Sequence, residues 1–232
     1  LLVGSIGQRG IARMRGHLIE NRGYTEQSLE ALNQEMLAHL EAPITRQELH
    51  ERVPALRNLT WAGWGEDLKL LVYSGLAVFA TPKDGTTSCF VRRDVWLPAL
   101  VWSPEEYAAA RLSLLRRYLA AHAPARIADY VYWSSLPAVE VRADFAALKD
   151  ELITLTIDDR RDTYYALAAH EARLRDPLPP VPLNILPKFD SLVLAHRDKS
   201  LVVEMVHHKR ISRPAGQIEA VILLNGQTAG AW

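Results

Sequence analysis

Cysteine is almost missing from this chain of 232 residues. Cys89 stands alone, so no disulfide can close within the chain and no cysteine-built zinc site is available. Net charge is missing too, because 27 basic residues balance 27 acidic ones. Any nucleic-acid contact must then come from local patches and not from a generally basic surface. No run approaches the roughly 20 apolar residues that a membrane helix needs, and the opening Leu1-Leu2-Val3 is too short for the core of a secretion signal. These absences lead us to expect a cytoplasmic protein in a reducing compartment, without a membrane partner. The chain starts on Leu1 rather than Met, as a processed chain or a piece of a longer protein would.

Familiar catalytic spacings are also lacking. There is no nucleophile elbow, Gly-rich phosphate loop or spaced set of metal ligands, which argues against a small-molecule hydrolase. His207 and His208 are adjacent, so in regular structure their rings diverge, and no neighbouring Cys or spaced His completes a set. We therefore expect neither a metal nor a cofactor.

What the chain does have is 49 % hydrophobic and 23 % charged residues, the balance of a globular protein. Its periodicity divides it. Residues Leu2 to Glu20 suggest a helix with Ile11, Met14 and Leu18 on one face, weakened by Gly4, Gly7, Gly10 and Gly16. Thr25 with Ser28 caps a second helix carrying Leu29, Leu32, Met36, Leu37 and Leu40. Thr45 with Glu48 forms a capping box for a short third one. Glu66 to Ser74 reads as another helix closed by Gly75. Leu76 to Phe79 and Ser88 to Arg93 then read as strands about Lys83-Asp84-Gly85.

The order recurs. Ser103-Pro104 should cap a long helix with Tyr107, Leu112, Leu115, Tyr118 and Leu119 on its buried side. A short helix follows Pro124, and Pro137 opens another to about Lys149. Ile153 to Ile157 and Thr163 to Leu167 flank the polar run Asp158 to Asp162. Helices followed by a hairpin, twice over, is the winged-helix order. The predicted fold is α+β: tandem winged-helix modules with a C-terminal β-rich module. Its parts are an N-terminal helix over 1–24, a remnant of a larger N-terminal region; module 1 over 25–102; module 2 over 103–176; a Pro-rich linker over 177–182; and the β-rich module over 183–232.

The helix before each hairpin would ordinarily enter the major groove. The first carries Glu66, Asp67 and Lys69, and the second Glu140, Arg142, Asp144 and Lys149. Acids repel phosphates, so scaffolding or protein contact explains these helices as well as groove reading does. Basic character is stronger elsewhere, at Arg9 and Arg13 and, towards the end, at Lys188, Arg197, Lys199, His207, His208, Lys209, Arg210 and Arg213. On one side these would make a phosphate-binding rim; scattered, they are a solvated charged face. Asp190 is the acid of most interest. Burial beside Phe189 would suit it to acid–base work, although a cap or turn aspartate is the better reading.

Several motifs carry a family resemblance. They are Leu186-Pro187-x-Phe189-Asp190, the closing Asn225-Gly226-x-x-x-Gly230-x-Trp232, Pro43 through Leu49, and Arg117-Tyr118-Leu119 through Pro124, Asp129 and Trp133-Ser134-Ser135-Leu136. In that order, from about Thr25 to Trp232, they resemble the bacterial winged-helix DNA-binding-domain family that includes the glycosylases able to unhook interstrand crosslinks. The resemblance implies double-stranded DNA, damaged or undamaged, as partner, gripped across a concave surface. It also implies a water activated by a Gln-x-Gln or Gln-x-Asp motif. None of Gln8, Gln27, Gln34, Gln47, Gln217 and Gln227 stands two residues before a Gln or Asp, and the family places its motif upstream of Leu1. Either the catalytic segment lies outside this sequence or this member is not a glycosylase. The competing reading is a noncatalytic winged-helix regulator or protein-interaction module.

Overall fold

Local capping chemistry sets the first helices. In the computed structural model, which describes residues 2–58, 66–81, 84–103, 105–157, 160–176, 179 and 181–232, the chain divides into two units, Leu1–Arg111 and Leu112–Trp232. Each is described by itself.

In the first unit a π-helical turn over Val3–Gly7 runs into α1 (Gln8–Arg22). The glycines that weaken this helix on paper are places of close approach. A Cβ at Gly4 would meet the Glu105 carbonyl oxygen, one at Gly7 would lie 2.7 Å from the Tyr73 carbonyl oxygen, and one at Gly10 would lie 2.9 Å from the Tyr73 ring. Lost helix propensity is thus exchanged for backbone contact. α2 (Glu26–Ala38) starts on a reciprocal cap: the Ser28 amide donates to Thr25 Oγ1 at 3.1 Å and the Thr25 amide to Ser28 Oγ at 2.8 Å. After β1 (Ile44–Thr45), α3 (Arg46–Arg52) repeats the device with Thr45 and Glu48, at 3.1 and 2.7 Å.

α4 (Glu66–Tyr73), β2 (Ala77–Ala80), β3 (Cys89–Arg92) and the short α5 (Arg93–Trp96) complete this unit. The sheet order is β1-β3-β2, antiparallel, with Val78 opposite Val91. Lys83 of the expected turn lies outside the described residues. Asp84 organises the part that follows: its carboxylate accepts from the Thr87 hydroxyl and amide and from the Thr86 amide. Those bonds hold its pKa well below the usual carboxylate range. Leu32, Met36, Leu49, Leu56, Leu71 and Ala77 lie in one buried apolar cluster.

α6 (Tyr107–His122) crosses into the second unit. It starts later than the expected Ser103-Pro104 cap; Ser103 is not helical and Pro104 lies outside the described residues. α7 (Ile127–Ser134), α8 (Ala138–Ala147), β4 (Leu152–Leu155) and β5 (Tyr164–Leu167) follow. β4 and β5 form the expected hairpin, Thr154 opposite Tyr165; Asp158 and Asp159 of its connection lie outside the described residues. Ala125 exchanges both backbone hydrogen bonds with Tyr165, at 3.1 and 2.8 Å. The chain just before α7 therefore pairs with this hairpin as β1 pairs with β3.

α9 (Glu171–Arg175) leads to the Pro-rich stretch, where Pro177, Leu178 and Pro180 lie outside the described residues. Beyond it are β6 (Leu183–Leu186), α10 (Ser191–Leu194), α11 (His208–Ile211), β7 (Ser212–Arg213), β8 (Gln217–Ile218), β9 (Val221–Leu224) and β10 (Gln227–Ala231). A three-stranded antiparallel sheet runs β10-β9-β6, and β7 pairs with β8. The closing turn is as expected from Asn-Gly: Asn225 and Gly226 both take positive φ, 48° and 80°, between Leu224 and its partner Gln227. The expectation of a β-rich terminal module needs correcting in one respect. The apolar run Leu192-Val193-Leu194 is helical, because Asp190 caps it, and further short helical turns separate β6 from β7. Mixed helix and sheet, α+β, describes the whole.

Candidate nucleic-acid interface

The segment Ala195-His196-Arg197-Asp198-Lys199-Ser200 is where the terminal part of the second unit is locked onto its helices. Arg126 opens α7, and its guanidinium meets Asp129, one turn on, through two bonds of 3.0 Å, while its third nitrogen reaches Asp162 at 2.7 Å. Asp129 is fully buried. Its second task is long-range: Oδ1 accepts the Arg197 amide at 3.0 Å. Burial alone would push the Asp129 carboxyl up, but the Arg126 hydrogen bonds and charge, with the Arg197 amide, outweigh it and hold the pKa below the usual range.

Three further ties fix the same segment. Arg160 meets Asp198 at 3.1 Å and donates to Ser200 Oγ at 2.8 Å. The Tyr118 hydroxyl donates to the Ala195 carbonyl at 2.9 Å. His196 Nε2 lies 3.0 Å from the His122 carbonyl oxygen and 3.3 Å from that of Pro124. Both partners are acceptors, so the ring proton belongs on Nε2. His122 itself is pushed below the ordinary histidine value, first by burial and then by His196.

This geometry sorts the candidate residues. Lys199 leaves the surface: it is 6 % exposed, its ammonium donates to the carbonyls of His196 and Leu194 and sits 4.7 Å from the Tyr132 ring centre, and burial lowers its pKa. It cannot reach a phosphate in this arrangement. Lys188 and Arg213 are exposed but both pair with Glu219, at 2.9 and 2.8 Å, which brings these two together and lowers the Glu219 pKa. Arg197, Lys209 and Arg210 are exposed, and His207 and His208 half-buried. Among the described residues no ion pair engages Arg197, Lys209 or Arg210. In the first unit Arg9 donates to the Tyr107 hydroxyl at 3.1 Å and Arg13 is exposed. Asp190 is an N-cap: Oδ1 accepts the Leu192 amide at 2.9 Å.

The helix before the second hairpin is less acidic at its surface than its sequence suggests, because its charges segregate by face. Glu66 and Asp67 have side chains outside the described residues. Asp144 is buried, whereas Arg142 and Lys149 are exposed. Arg142 and Lys149 line a groove of about 310 Å³ between α8 and the β4–β5 hairpin, over Phe145 and Tyr165. An equivalent groove of about 270 Å³ between α4 and β2–β3 is lined by Arg46, Lys69, Tyr73, Phe79 and Phe90. Sequence reading missed these basic grooves, although Arg142 and Lys149, seven residues and so about two turns apart, fall on one side by spacing alone. It also missed Arg126 and Arg160; the i,i+3 pair Arg126/Asp129 at a helix start was the available signal.

No helix among the described residues is long and apolar enough to cross a membrane. The chain shares its fold with a solved structure, the DNA glycosylase AlkZ of Streptomyces sahachiroi, at a TM-score of 0.75 and 24 % identity, over 94 % of this chain and 62 % of that one. It is 28 % identical over 227 residues to an interstrand DNA cross-link repair glycosylase from the same organism, covering 90 % of this chain. The chain spans 59 % of that relative's length. Residues 7–232 match the family of AlkZ-like DNA glycosylases, and to that family the chain belongs.

Proposed function

We propose that this chain is the DNA-gripping part of a glycosylase that acts on alkylated or crosslinked duplex DNA, and that its two helix–hairpin sets are winged-helix modules. The observation that carries this reading is the family match across residues 7–232. The geometry supports it. Arg197, Lys209 and Arg210 present cations with no ion pair among the described residues, and each groove beside a hairpin is lined by two cations and aromatic rings. Arg13 is exposed, and Lys188 and Arg213 share the single carboxylate of Glu219, which leaves that pair of cations with one net positive charge. A polyanion fits such patches on each unit taken by itself, and its affinity comes largely from displaced counterions.

Within this chain the residues bind and orient. Cleaving a glycosidic bond also needs a group that positions water, and no Gln-x-Gln or Gln-x-Asp occurs in the sequence. Asp190 is committed to capping α10. The purified chain should therefore bind duplex DNA and release no alkylated base. The test compares undamaged, alkylated and crosslinked duplexes for binding and for free base. Release abolished by Asp190→Asn would make Asp190 the catalytic acid; release that survived it would point to another acid, such as Asp198. Replacing both Lys209 and Arg210 with Ala should weaken binding to every duplex and reduce the slope of log affinity against log salt by about 2. An unchanged slope would move the contact surface elsewhere.

A further inference from the structure

Between Val203 and Ile211 the chain leaves the terminal core and returns to it. Both anchors are fully buried in the same apolar cluster. The residues between them are held as a compact turn: the His207 amide donates to the Glu204 carbonyl at 2.9 Å, the His208 amide to that of Met205 at 3.2 Å, and the Ile211 amide to that of His207 at 3.2 Å. At the head of this turn Met205 is 71 % and Val206 75 % exposed. Directly behind them come His207, His208, Lys209 and Arg210, with Glu204 as the one acid of the stretch.

Two aliphatic side chains held in water on a hydrogen-bonded turn gain free energy on finding an apolar partner, and the turn is already ordered. The cations beside them select what that partner belongs to. A polyanion with flat apolar faces inside it satisfies both halves, and stacked DNA is such a molecule. We propose that Met205 and Val206 form a wedge that enters between two base pairs of duplex DNA while Lys209 and Arg210 hold the flanking phosphates. Apolar side chains inserted between base steps unstack them and bend the duplex. A base whose neighbour has been pried away exposes its glycosidic bond at lower cost, and unstacking of this kind serves enzymes that act on a base. Val206, branched at Cβ, holds its direction; Met205, unbranched and polarisable, conforms to the base face. The inference rests on the DNA-binding reading above.

The experiment uses the full chain and a duplex containing 2-aminopurine, whose fluorescence rises when it is unstacked. Saturating wild-type protein should raise the signal. Met205→Ala with Val206→Ala should keep duplex affinity within about threefold and leave the salt slope unchanged, since no phosphate contact is removed, yet lose most of the rise. Lys209→Ala with Arg210→Ala should show the converse, weaker binding with the rise recovered at saturation. A wild-type complex that forms without a fluorescence rise, or a double Ala variant at the tip that keeps it, overturns the wedge and leaves DNA binding intact. Absence of any duplex binding removes the DNA reading and the wedge together. Adsorption to anionic phospholipid vesicles that depends on Met205 and Val206, without 2-aminopurine unstacking, would assign the tip to a lipid surface instead.

Discussion

The two helix–hairpin sets have the same element order and are held by different forces. In the first, Leu32, Met36, Leu49, Leu56 and Leu71 dominate the buried cluster, with Tyr24 and Phe90 packed against it and no buried carboxylate among the described residues of α2 and α3. In the second, Tyr118 lies 4.9 Å from Tyr130 and 5.1 Å from Trp133, Phe145 meets Tyr165 edge-on at 5.0 Å, and Asp129 and Asp144 are buried among these elements. The difference teaches that one topology accepts an interior without buried carboxylates and one that contains them, provided every buried charge has a partner. The version that contains them adds something the other lacks. Through Asp129, Arg160 and Tyr118 it fixes a segment 68 to 77 residues away from some of its own atoms.

The sharpest way to break this contrast is Asp129→Ala. It leaves Arg126 half-paired and the Arg197 amide without its acceptor, and should cost about 4 kcal/mol, read by chemical denaturation. The terminal segment should loosen with it, seen as faster amide exchange over 195–200. Leu71→Ala in the first set should cost about 3 kcal/mol through lost contact and a cavity, with no such change in exchange at 195–200. Equal effects of both substitutions on that exchange would erase the distinction.

Acid should separate the sets next. Asp129 and Asp198 have lowered pKa values, so their contribution is complete above the ordinary aspartate value of about 4 and is lost as the pH falls through the lower folded-state value. His122 is depressed as well, so protonation of the unfolded chain begins to compete below about pH 6.5. The depressed carboxylates of the first unit, Asp84 and Asp94, are at the surface. Near-ultraviolet circular dichroism from the second set's tyrosines should therefore fade at a higher pH than amide protection in α2 and α4. Simultaneous loss would contradict this. Thr45→Ala, which removes one cap bond from α3, should cost about 1 kcal/mol. Arg116→Ala, which breaks the exposed pair with Glu151, should give a shift too small to resolve.

Much of the fold was legible because its signals are local. Thr25 with Ser28, Thr45 with Glu48 and Asn225-Gly226 act within four residues, and the structure uses each as its chemistry suggests. The capping reading of Asp190 was legible for the same reason. What stayed hidden depends on partners far along the chain. Nothing near Lys199 announces that its ammonium will point inward, and the acids of α8 read as a repulsive surface until Asp144 is seen to be buried. The apolar run Leu192-Val193-Leu194 is equally at home in a strand, and the cap at Asp190 decided otherwise. Met205-Val206 attracted no notice because two apolar residues in a row usually signify interior; their exposure appears only once Val203 and Ile211 are seen to be the anchors.

The glycines at the start of the chain have a practical corollary for anyone engineering it. Gly4, Gly7 and Gly10 recur every third residue and each faces an obstacle at a distance no Cβ tolerates, whereas Gly16 has nothing within 4 Å. A substitution scan through the first twenty positions should show a periodic pattern of intolerance and then a sudden release. Gly16→Ala is the change to make when a sturdier version is wanted, and Gly10→Ala is the one to avoid.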